Sequence, residues 1–260
     1  MRRHVILEKQ IGQTPLEALQ EWKHLHPSYV GVPASYAGRL DPMASGKLLV
    51  LLGEECKRQA HYTALDKEYE VKVLLDVGSD TGDVLGIVKG TEEVTAPAKS
   101  ILRETLQSFI GSRDVPYPAF SSKTVAGKPL FLYALEGTLG TISIPTHTEK
   151  VYSIQLKDVT SLPTHILKSR IESLLAKAPT STEPSKELGA DFRIVPVKES
   201  WKELLAQEER SYTILTLRVV CASGTYMRTL ANDLGKALGT RALALSIHRS
   251  RIGKRPFWLL

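Results

Sequence analysis

The spacing of apolar residues along the chain predicts both strands and helices. Residues 48–52 form an uninterrupted apolar run, which is typical of a buried strand. A second strand is predicted where apolar residues occupy every other position, at Tyr69, Val71, Val73 and Leu75. The spacing becomes helical after residues 223–225 and ends at Gly239, with apolar positions at Met227, Leu230, Ala231, Leu234 and Leu238.

Capping and turn signals define further elements. Residues 5–7 predict a short strand, and Thr14-Pro15-Leu16-Glu17 has the form of a capping box that opens a helix. Residues 97–110 predict an amphipathic helix, and residues 78–83 predict a turn. Strands and helices do not alternate regularly. This order predicts an α+β fold around a largely antiparallel or mixed central sheet flanked by helices, rather than a doubly wound parallel sheet.

Composition bears on size, compartment and partners. A chain of 260 residues with 42% hydrophobic residues can build a large core, and we expect a single domain over residues 1–260. Its 34 Lys and Arg against 28 Asp and Glu give a net charge of +6, which favours a polyanionic partner without requiring one. Cys56 and Cys221 are too few for a disulfide framework or metal cluster, so we expect a reducing cytoplasm. We expect no signal peptide and no membrane span, because no apolar stretch is long enough for either.

A polar turn before residues 48–52 carries the first candidate for chemistry. Asp41 lies between Arg39 and Pro42 within Gly38-Arg39-Leu40-Asp41-Pro42-Met43-Ala44-Ser45-Gly46. An acid at the end of a rigid apolar strand has a fixed position, which catalysis requires. Asp followed by Pro is also a common helix N-cap or turn, so a structural role stays open on these residues alone.

Arg228 is the second candidate, because it lies in the first turn of the predicted helix. A cation there opposes the helix dipole by about 0.3 kcal/mol or more, so we expect an anion beside it. A phosphate group or the carboxylate of Asp41 would meet this need. The alternative is an arginine that extends into solvent.

Four motifs follow one another along the chain. The first is Tyr36-Ala37-Gly38-Arg39-Leu40-Asp41-Pro42-Met43-Ala44-Ser45-Gly46 with Leu51-Leu52-Gly53-Glu54, and the second is Lys67-Glu68-Tyr69-Glu70-Val71. The third joins Pro118-Ala119-Phe120-Ser121-Ser122-Lys123 to Gly127-Lys128-Pro129-Leu130 and Tyr133-Ala134. The fourth is Ser223-Gly224-Thr225-Tyr226-Met227-Arg228-Thr229-Leu230-Ala231. Together they resemble the TruB-type tRNA pseudouridine synthases, from about Lys9 to Phe257 apart from residues 163–209.

The resemblance implies the pseudouridine synthase fold and the isomerisation of a flipped-out uridine, with the T-loop of tRNA as the favoured target. Asp41 would be the essential acid, which stabilises or traps positive charge on the sugar or takes a sugar proton. Arg228 would pair with this acid, and Tyr69 would stack on the uracil and help to manage the proton lost from C5. The reaction oxidises nothing and releases nothing, so no metal or organic cofactor is expected.

The resemblance also implies a set of substrate-binding residues. Ile247 would form an apolar wall of the base pocket, Lys9 and Lys123 would lie near the bound RNA, and Tyr36 takes the place of a histidine expected to contact the target loop. Candidates for contacts with the RNA backbone are Arg39, Lys47, Lys123 and Lys128. The cluster His248, Arg249, Arg251, Lys254 and Arg255 is a further candidate for backbone contacts, although such runs are usually solvated. The expected partner is RNA, and we expect a monomer that contacts no membrane.

Several departures from the family pattern keep alternatives open. Tyr36 stands where the family usually has a histidine, and Glu8-Lys9-Gln10 replaces the usual Asp-Lys-Pro. Residues 163–209 match the family poorly, and we interpret them as an insertion that behaves as a surface loop. Helices are expected within it at about 165–177 and 201–207, with a linker at 179–185. No carboxy-terminal PUA-like RNA-binding module is expected. Two alternative functions therefore remain. The chain could carry out the same chemistry on another structured RNA, or it could be a noncatalytic RNA-folding module.

Overall fold

The computed structural model describes residues 2–90, 97–179, 192–206 and 209–253. Within these ranges the strands are β1 (His4–Lys9), β2 (Ala34–Ala37), β3 (Ala44–Leu52), β4 (Lys67–Leu75), β5 (Val77–Ser79), β6 (Val88–Gly90), β7 (Gly111–Pro116), β8 (Thr124–Val125), β9 (Lys128–Pro129), β10 (Thr146–Pro163), β11 (Ser211–Cys221) and β12 (Ala242–Ile252). The helices are α1 (Pro15–Leu25), α2 (Gln59–Thr63), α3 (Lys99–Ser108), α4 (Leu130–Leu135), α5 (Thr164–Leu175), α6 (Ile194–Leu205) and α7 (Met227–Ala237). Short 3₁₀ helices occupy Pro27–Tyr29, Gly53–Arg58 and Leu139–Thr141.

The main sheet has the strand order β1-β3-β12-β4-β11-β10-β7, and β2 also pairs with β3. The pair β12–β3 is parallel, whereas the other pairs of this sheet are antiparallel. This arrangement confirms the expected α+β fold with a largely antiparallel sheet. Because β12 lies between β3 and β4, it brings together residues that are far apart in the sequence.

Helices cover both faces of the sheet. Successive residues of a strand point to opposite faces, and Val73 and Leu74 of β4 accordingly belong to different cores. Residues of α3 and α7 pack on the face of Val73, and residues of α5 and α6 pack on the face of Leu74. The end of β4 is therefore apolar at consecutive positions, because neither of its faces meets water.

Local signals placed several elements correctly. The capping box at the start of α1 is complete, since the Thr14 side chain accepts from the Glu17 backbone and Glu17 accepts from the Thr14 backbone. The helix predicted over residues 97–110 is α3. The helix predicted to end at Gly239 is α7, and Gly239 has a φ of 74°.

Residues 163–209 were expected to have the character of a surface loop, and this is wrong for the two helices described within them. Leu167 and Ile171 of α5 and Val197 and Trp201 of α6 are buried against the sheet. The α6 helix begins at Ile194, seven residues before the helix expected at 201. Their apolar residues pack against each other and against strands of the sheet, and the sequence pattern did not indicate this burial.

Some expectations fall on parts of the chain that the structure does not describe. The linker at 179–185 lies outside the described residues apart from Pro179, and Lys254 and Arg255 lie outside them as well. Within the described ranges, none of the helices combines the length and apolar character needed to cross a membrane.

Candidate active site

The turn that carries Asp41 connects β2 to β3 and is fixed from one side by a buried arginine of β12. Arg249 donates from Nε to the carbonyl of Lys47 at 2.7 Å and from Nη2 to the carbonyl of Gly38 at 3.0 Å. Gly46 allows β12 to approach, because a β-carbon at this position, which has a φ of 101°, would lie 2.4 Å from the Arg249 carbonyl oxygen. Arg249 was expected among RNA backbone contacts. The structure instead buries it as a support of this turn.

Lys9 of β1 supports the same turn by binding its backbone carbonyls. It is fully buried, and its Nζ donates to the carbonyls of Pro42 at 3.1 Å and Ala44 at 2.5 Å. Burial lowers the pKa of Lys9 to about 8, although the nearby Asp41 opposes this shift. Lys9 was expected near the bound RNA, but the structure leaves it no exposed surface for contacting a substrate. Its interactions are those of a positioning residue.

Asp41 pairs with Arg228, which lies in the first turn of α7. Arg228 donates from Nε to Asp41 Oδ2 at 2.8 Å, and it also donates to the carbonyls of Thr81 at 2.8 Å and Phe120 at 3.1 Å. The arginine is only 5% exposed, whereas the Asp41 side chain is 42% exposed. The pair therefore offers a fixed carboxylate with an accessible side, and Asp41 provides the anion expected beside Arg228.

A second carboxylate, Asp83, lies close to the same arginine. Its Oδ2 is 3.9 Å from Arg228 Nε, and its Oδ1 accepts from the Thr81 hydroxyl at 2.7 Å and the Leu85 backbone at 3.0 Å. Burial raises the pKa of Asp83 despite the opposing effect of Arg228, and Asp41 adds to the rise. Asp83 was not among the residues predicted from the sequence. Its only local signal was an acid in the turn predicted over residues 78–83.

Tyr69 and Ile247 form an apolar wall on the same side of the sheet. Ile247 of β12 lies opposite Ala44 of β3 and Val71 of β4, and Tyr69 of β4 lies opposite Arg249. Burial raises the pKa of Tyr69 to about 12, and the adjacent Arg249 only partly offsets this effect. The phenol therefore stays protonated at neutral pH. Both side chains were predicted site residues, and both line the cleft that contains Asp41.

The cleft has a volume of about 1040 Å³ and is built from several parts of the chain. Its walls include the turn of Asp41, residues 120–122, helix α4 and residues 222–228. Ligand sites commonly have volumes of roughly 300–1,000 Å³, so a nucleotide with its neighbouring groups fits this space.

The remaining predicted substrate-binding residues do not all lie in the cleft. Tyr36 and Arg39 line it, and the Arg39 guanidinium lies 6.0 Å from the centre of the Tyr36 ring. Lys123 is exposed but lies outside the lining, with its Nζ 5.0 Å from the centre of the Tyr117 ring. In the described part of the chain, no group of three or more His, Cys, Asp or Glu side chains could hold a metal ion.

Two curated relatives are similar over nearly the whole chain. The tRNA pseudouridine synthase B of Syntrophus aciditrophicus is 30% identical over 250 residues, which cover 96% of this chain and 62% of that protein. The tRNA pseudouridine synthase B of Idiomarina loihiensis is 29% identical, with 95% and 62% covered. The chain thus spans about three fifths of the length of these relatives.

Similarity to solved structures and to a protein family agrees with these relatives. A crystal structure of a Cbf5-Nop10-Gar1 complex matches 96% of this chain and 48% of that chain, with a TM-score of 0.56 and 18% identity. At this identity the likeness concerns the fold. Residues 30–172 match the family described as TruB family pseudouridylate synthase (N terminal domain). Because this match covers more than half of the sequence, the chain belongs to the TruB family of pseudouridylate synthases.

Proposed function

We propose that this chain is an RNA pseudouridine synthase that isomerises a flipped-out uridine, and that its target is the T-loop uridine of tRNA. The observation that carries the proposal is the contact of Asp41 with Arg228 at 2.8 Å, in a cleft that also contains Tyr69. The names of the two relatives support tRNA as the substrate class.

The proposed reaction rearranges bonds within one nucleotide. The bond between C1′ and N1 breaks, the uracil turns, and a bond forms between C5 and C1′, while C5 loses a proton and N1 gains one. Breaking the glycosidic bond puts positive character on the sugar. The accessible carboxylate of Asp41 would stabilise this charge, bond to the sugar or take a sugar proton.

Arg228 and Tyr69 would orient the reacting groups. Arg228 is held by two backbone carbonyls, so it can fix the direction of the Asp41 carboxylate before the substrate arrives. The Tyr69 ring lines the cleft and would stack on the uracil. Because its pKa is about 12, Tyr69 is better suited to donate a hydrogen bond than to remove the C5 proton as a base.

A uridine in a folded loop must leave its stack to reach Asp41. Such extrusion costs about 2–4 kcal/mol, which contacts with the flipped nucleotide and its backbone must offset. Arg39, exposed at the lining of the cleft, is one residue that would make these contacts. Ile247 would pack against the base as an apolar wall.

The proposal is tested with purified protein and unmodified tRNA, followed by mapping of pseudouridine at each uridine. We expect modification in the T-loop that is lost in Asp41→Asn, because the amide keeps the size of the carboxylate but not its charge. The matched control is Glu70→Gln, which neutralises an exposed carboxylate outside the cleft lining and should leave the rate unchanged.

The outcomes separate chemistry from substrate. Pseudouridine found only in other structured RNAs would keep the reaction but refute the tRNA target. Binding of RNA without product in any RNA would refute the reaction and support an RNA-folding role. Product formation that persists in Asp41→Asn would remove Asp41 from the mechanism.

A further inference from the structure

Lys67 is a buried lysine at the start of β4 that has no role in the proposed reaction. Lys67 and Tyr69 are two residues apart, so their side chains leave the strand on the same face. Both line the cleft. Lys67 is 4% exposed, and its Nζ donates to the carbonyl of Thr63 at 2.5 Å.

A second buried cation approaches the same place. Lys67 Nζ and Arg249 Nη1 lie 3.8 and 3.6 Å from the position that a β-carbon on Gly38 would occupy. Within the residues that the structure describes, neither cation has a carboxylate oxygen within 4.0 Å. The neighbouring Asp66 contributes charge, but its Oδ1 accepts a hydrogen bond from the Tyr152 hydroxyl at 3.1 Å.

This arrangement leaves two buried cations at the cleft, neither of which has a directly paired carboxylate among the described residues. Burial, followed by the repulsion of Arg249, lowers the pKa of Lys67 to about 8. Buried charges in proteins are normally paired, because an unpaired one loses its hydration without a replacement. An anion bound between these cations would supply the missing partner.

The donors of the two side chains indicate how the anion would bind. Arg249 directs Nε, Nη1 and Nη2 at the carbonyls of Lys47, Arg39 and Gly38, so it contributes charge more than free donors. Lys67 has three N–H groups, and the carbonyl of Thr63 engages one of them. Lys67 is therefore the group that can contact an anion directly.

We propose that Lys67, assisted by the charge of Arg249, binds one RNA phosphate next to the target uridine. This inference rests on the proposed function, since the RNA supplies the phosphate. The site and Asp41 belong to the same cleft, so Lys67 would hold the backbone of the flipped nucleotide while Asp41 meets its sugar. Because Lys67 lies beside Tyr69, it would help to set the orientation in which the nucleotide enters the cleft.

The first test measures the affinity for unmodified tRNA at several salt concentrations. Lys67→Met should weaken binding and reduce the slope of log affinity against log salt by about 0.7–0.9, the contribution of one phosphate contact. Lys67→Gln keeps a hydrogen-bond donor for Thr63 but not the charge, and it should reproduce the loss if Lys67→Met folds poorly. The control Lys157→Met removes an exposed lysine outside the cleft lining and should leave the slope within error.

The second test locates the phosphate by changing the RNA and comparing the wild type with Lys67→Gln. Single neutral methylphosphonate linkages are placed around the target uridine in the RNA. One linkage next to this uridine should weaken wild-type binding about tenfold, an effect of the size of a charge-assisted hydrogen bond, and should cause no further loss in Lys67→Gln. Equal penalties in wild type and variant at every linkage would overturn the assignment.

The third test uses the protonation of Lys67. The groups that face it are Asp66, Tyr69, Cys221 and Arg249, and the pKa values of Tyr69 and Cys221 are each raised to about 12 by burial. Wild-type affinity should fall as the pH rises above about 8, because binding needs the protonated lysine. Lys67→Arg keeps its charge and should lack this extra fall. Lys9 also titrates near pH 8, but it is present in both proteins.

The results distinguish this inference from the proposed function. If tRNA is modified but Lys67→Met and Lys67→Gln keep the wild-type salt slope, the phosphate site is wrong and the enzyme assignment stands. If no RNA is modified, the proposed function fails. In that case a reduced slope in the variants would still show an RNA phosphate contact.

Discussion

At the scale of single residues, the charges around Arg228 depend on one another. Burial alone would lower the pKa of Arg228, but the carboxylates of Asp41 and Asp83 outweigh it and raise that pKa. In turn, the arginine opposes the burial that raises the pKa of Asp83. Removing one of these groups therefore changes the cost of burying the others.

Arg228→Met should reveal this dependence. The variant leaves the buried Asp83 carboxylate without its cation, and we expect the free energy of unfolding at neutral pH to fall by about 3–5 kcal/mol. The deficit should shrink as the pH falls, because protonation of Asp83 removes the uncompensated charge. Asp83→Asn added to Arg228→Met should restore part of the stability in urea unfolding.

Arg39→Met is the matched control, because Arg39 is exposed and its removal leaves no buried carboxylate without a cation. A change within about 0.5 kcal/mol is expected for it. Equal stability of Arg228→Met with and without Asp83→Asn would contradict the coupling of these charges.

At the scale of elements, the position of Arg228 depends on how the amino-terminal end of α7 is held. Glu149 of β10 is fully buried, and its Oε1 accepts from the backbone N–H of Tyr226 at 3.0 Å, directly before the helix. Arg113 of β7 donates to Glu149 Oε2 at 3.2 Å. A carboxylate at this end is favourable for the helix dipole, whereas Arg228 in the first turn opposes it.

Glu149→Gln should therefore loosen the helix that carries Arg228. The amide can still accept from Tyr226, but the charged interactions with Arg113 and the helix end are lost, and we expect a loss of about 1.5–3 kcal/mol in unfolding free energy. The loss should be smaller in the presence of Arg113→Gln, since the two residues are coupled. Glu54→Gln, which breaks the exposed pair with Lys57, should cost under about 1 kcal/mol. Additive effects of Glu149→Gln and Arg113→Gln would count against the coupling.

Features that depend on residues close together in the sequence could be predicted, whereas those that depend on distant residues could not. The α1 capping box lies within four residues, and the apolar alternation of β4 depends on one strand, so local patterns were sufficient. The supports of the Asp41 turn depend on long-range contacts. Lys9 bonds to Ala44, which is 35 residues away, and Arg249 bonds to Gly38, which is 211 residues away.

The burial of charged side chains was the least predictable feature of the site. In the sequence, Arg249 belongs to a basic run of the kind that is usually solvated, and Asp83 belongs to an ordinary turn. Both are buried because β12 enters the middle of the sheet and because residues 81–83 pack beside α7. The contact between Asp41 and Arg228 was expected from the family resemblance together with the need for an anion at the helix end. Periodicity alone could not have paired residues 187 positions apart.

At the scale of the whole molecule, the two helices within residues 163–209 connect the core on the Leu74 face of the sheet to the candidate active site. Trp201 of α6 is buried, and its Nε1 donates to the carbonyl of Val84 at 3.0 Å. Val84 follows Asp83 directly and packs in the same core as Trp201. The helices thus support the segment that places the second carboxylate beside Arg228.

Trp201→Ala should affect both stability and catalysis. The cavity and the unpaired Val84 carbonyl should lower the unfolding free energy by about 3–5 kcal/mol, measured by urea denaturation. Because α6 shares a core with the central strands, one cooperative transition should remain. At a temperature where the variant is folded, kcat for the proposed modification of tRNA should fall, since Asp83 loses part of its support. Trp22→Ala removes a half-buried tryptophan that packs against the core of α1 and does not line the cleft, so it should lower stability while leaving kcat near wild type. A separate early transition in Trp201→Ala with unchanged kcat would instead mean that these helices are an independent appendage.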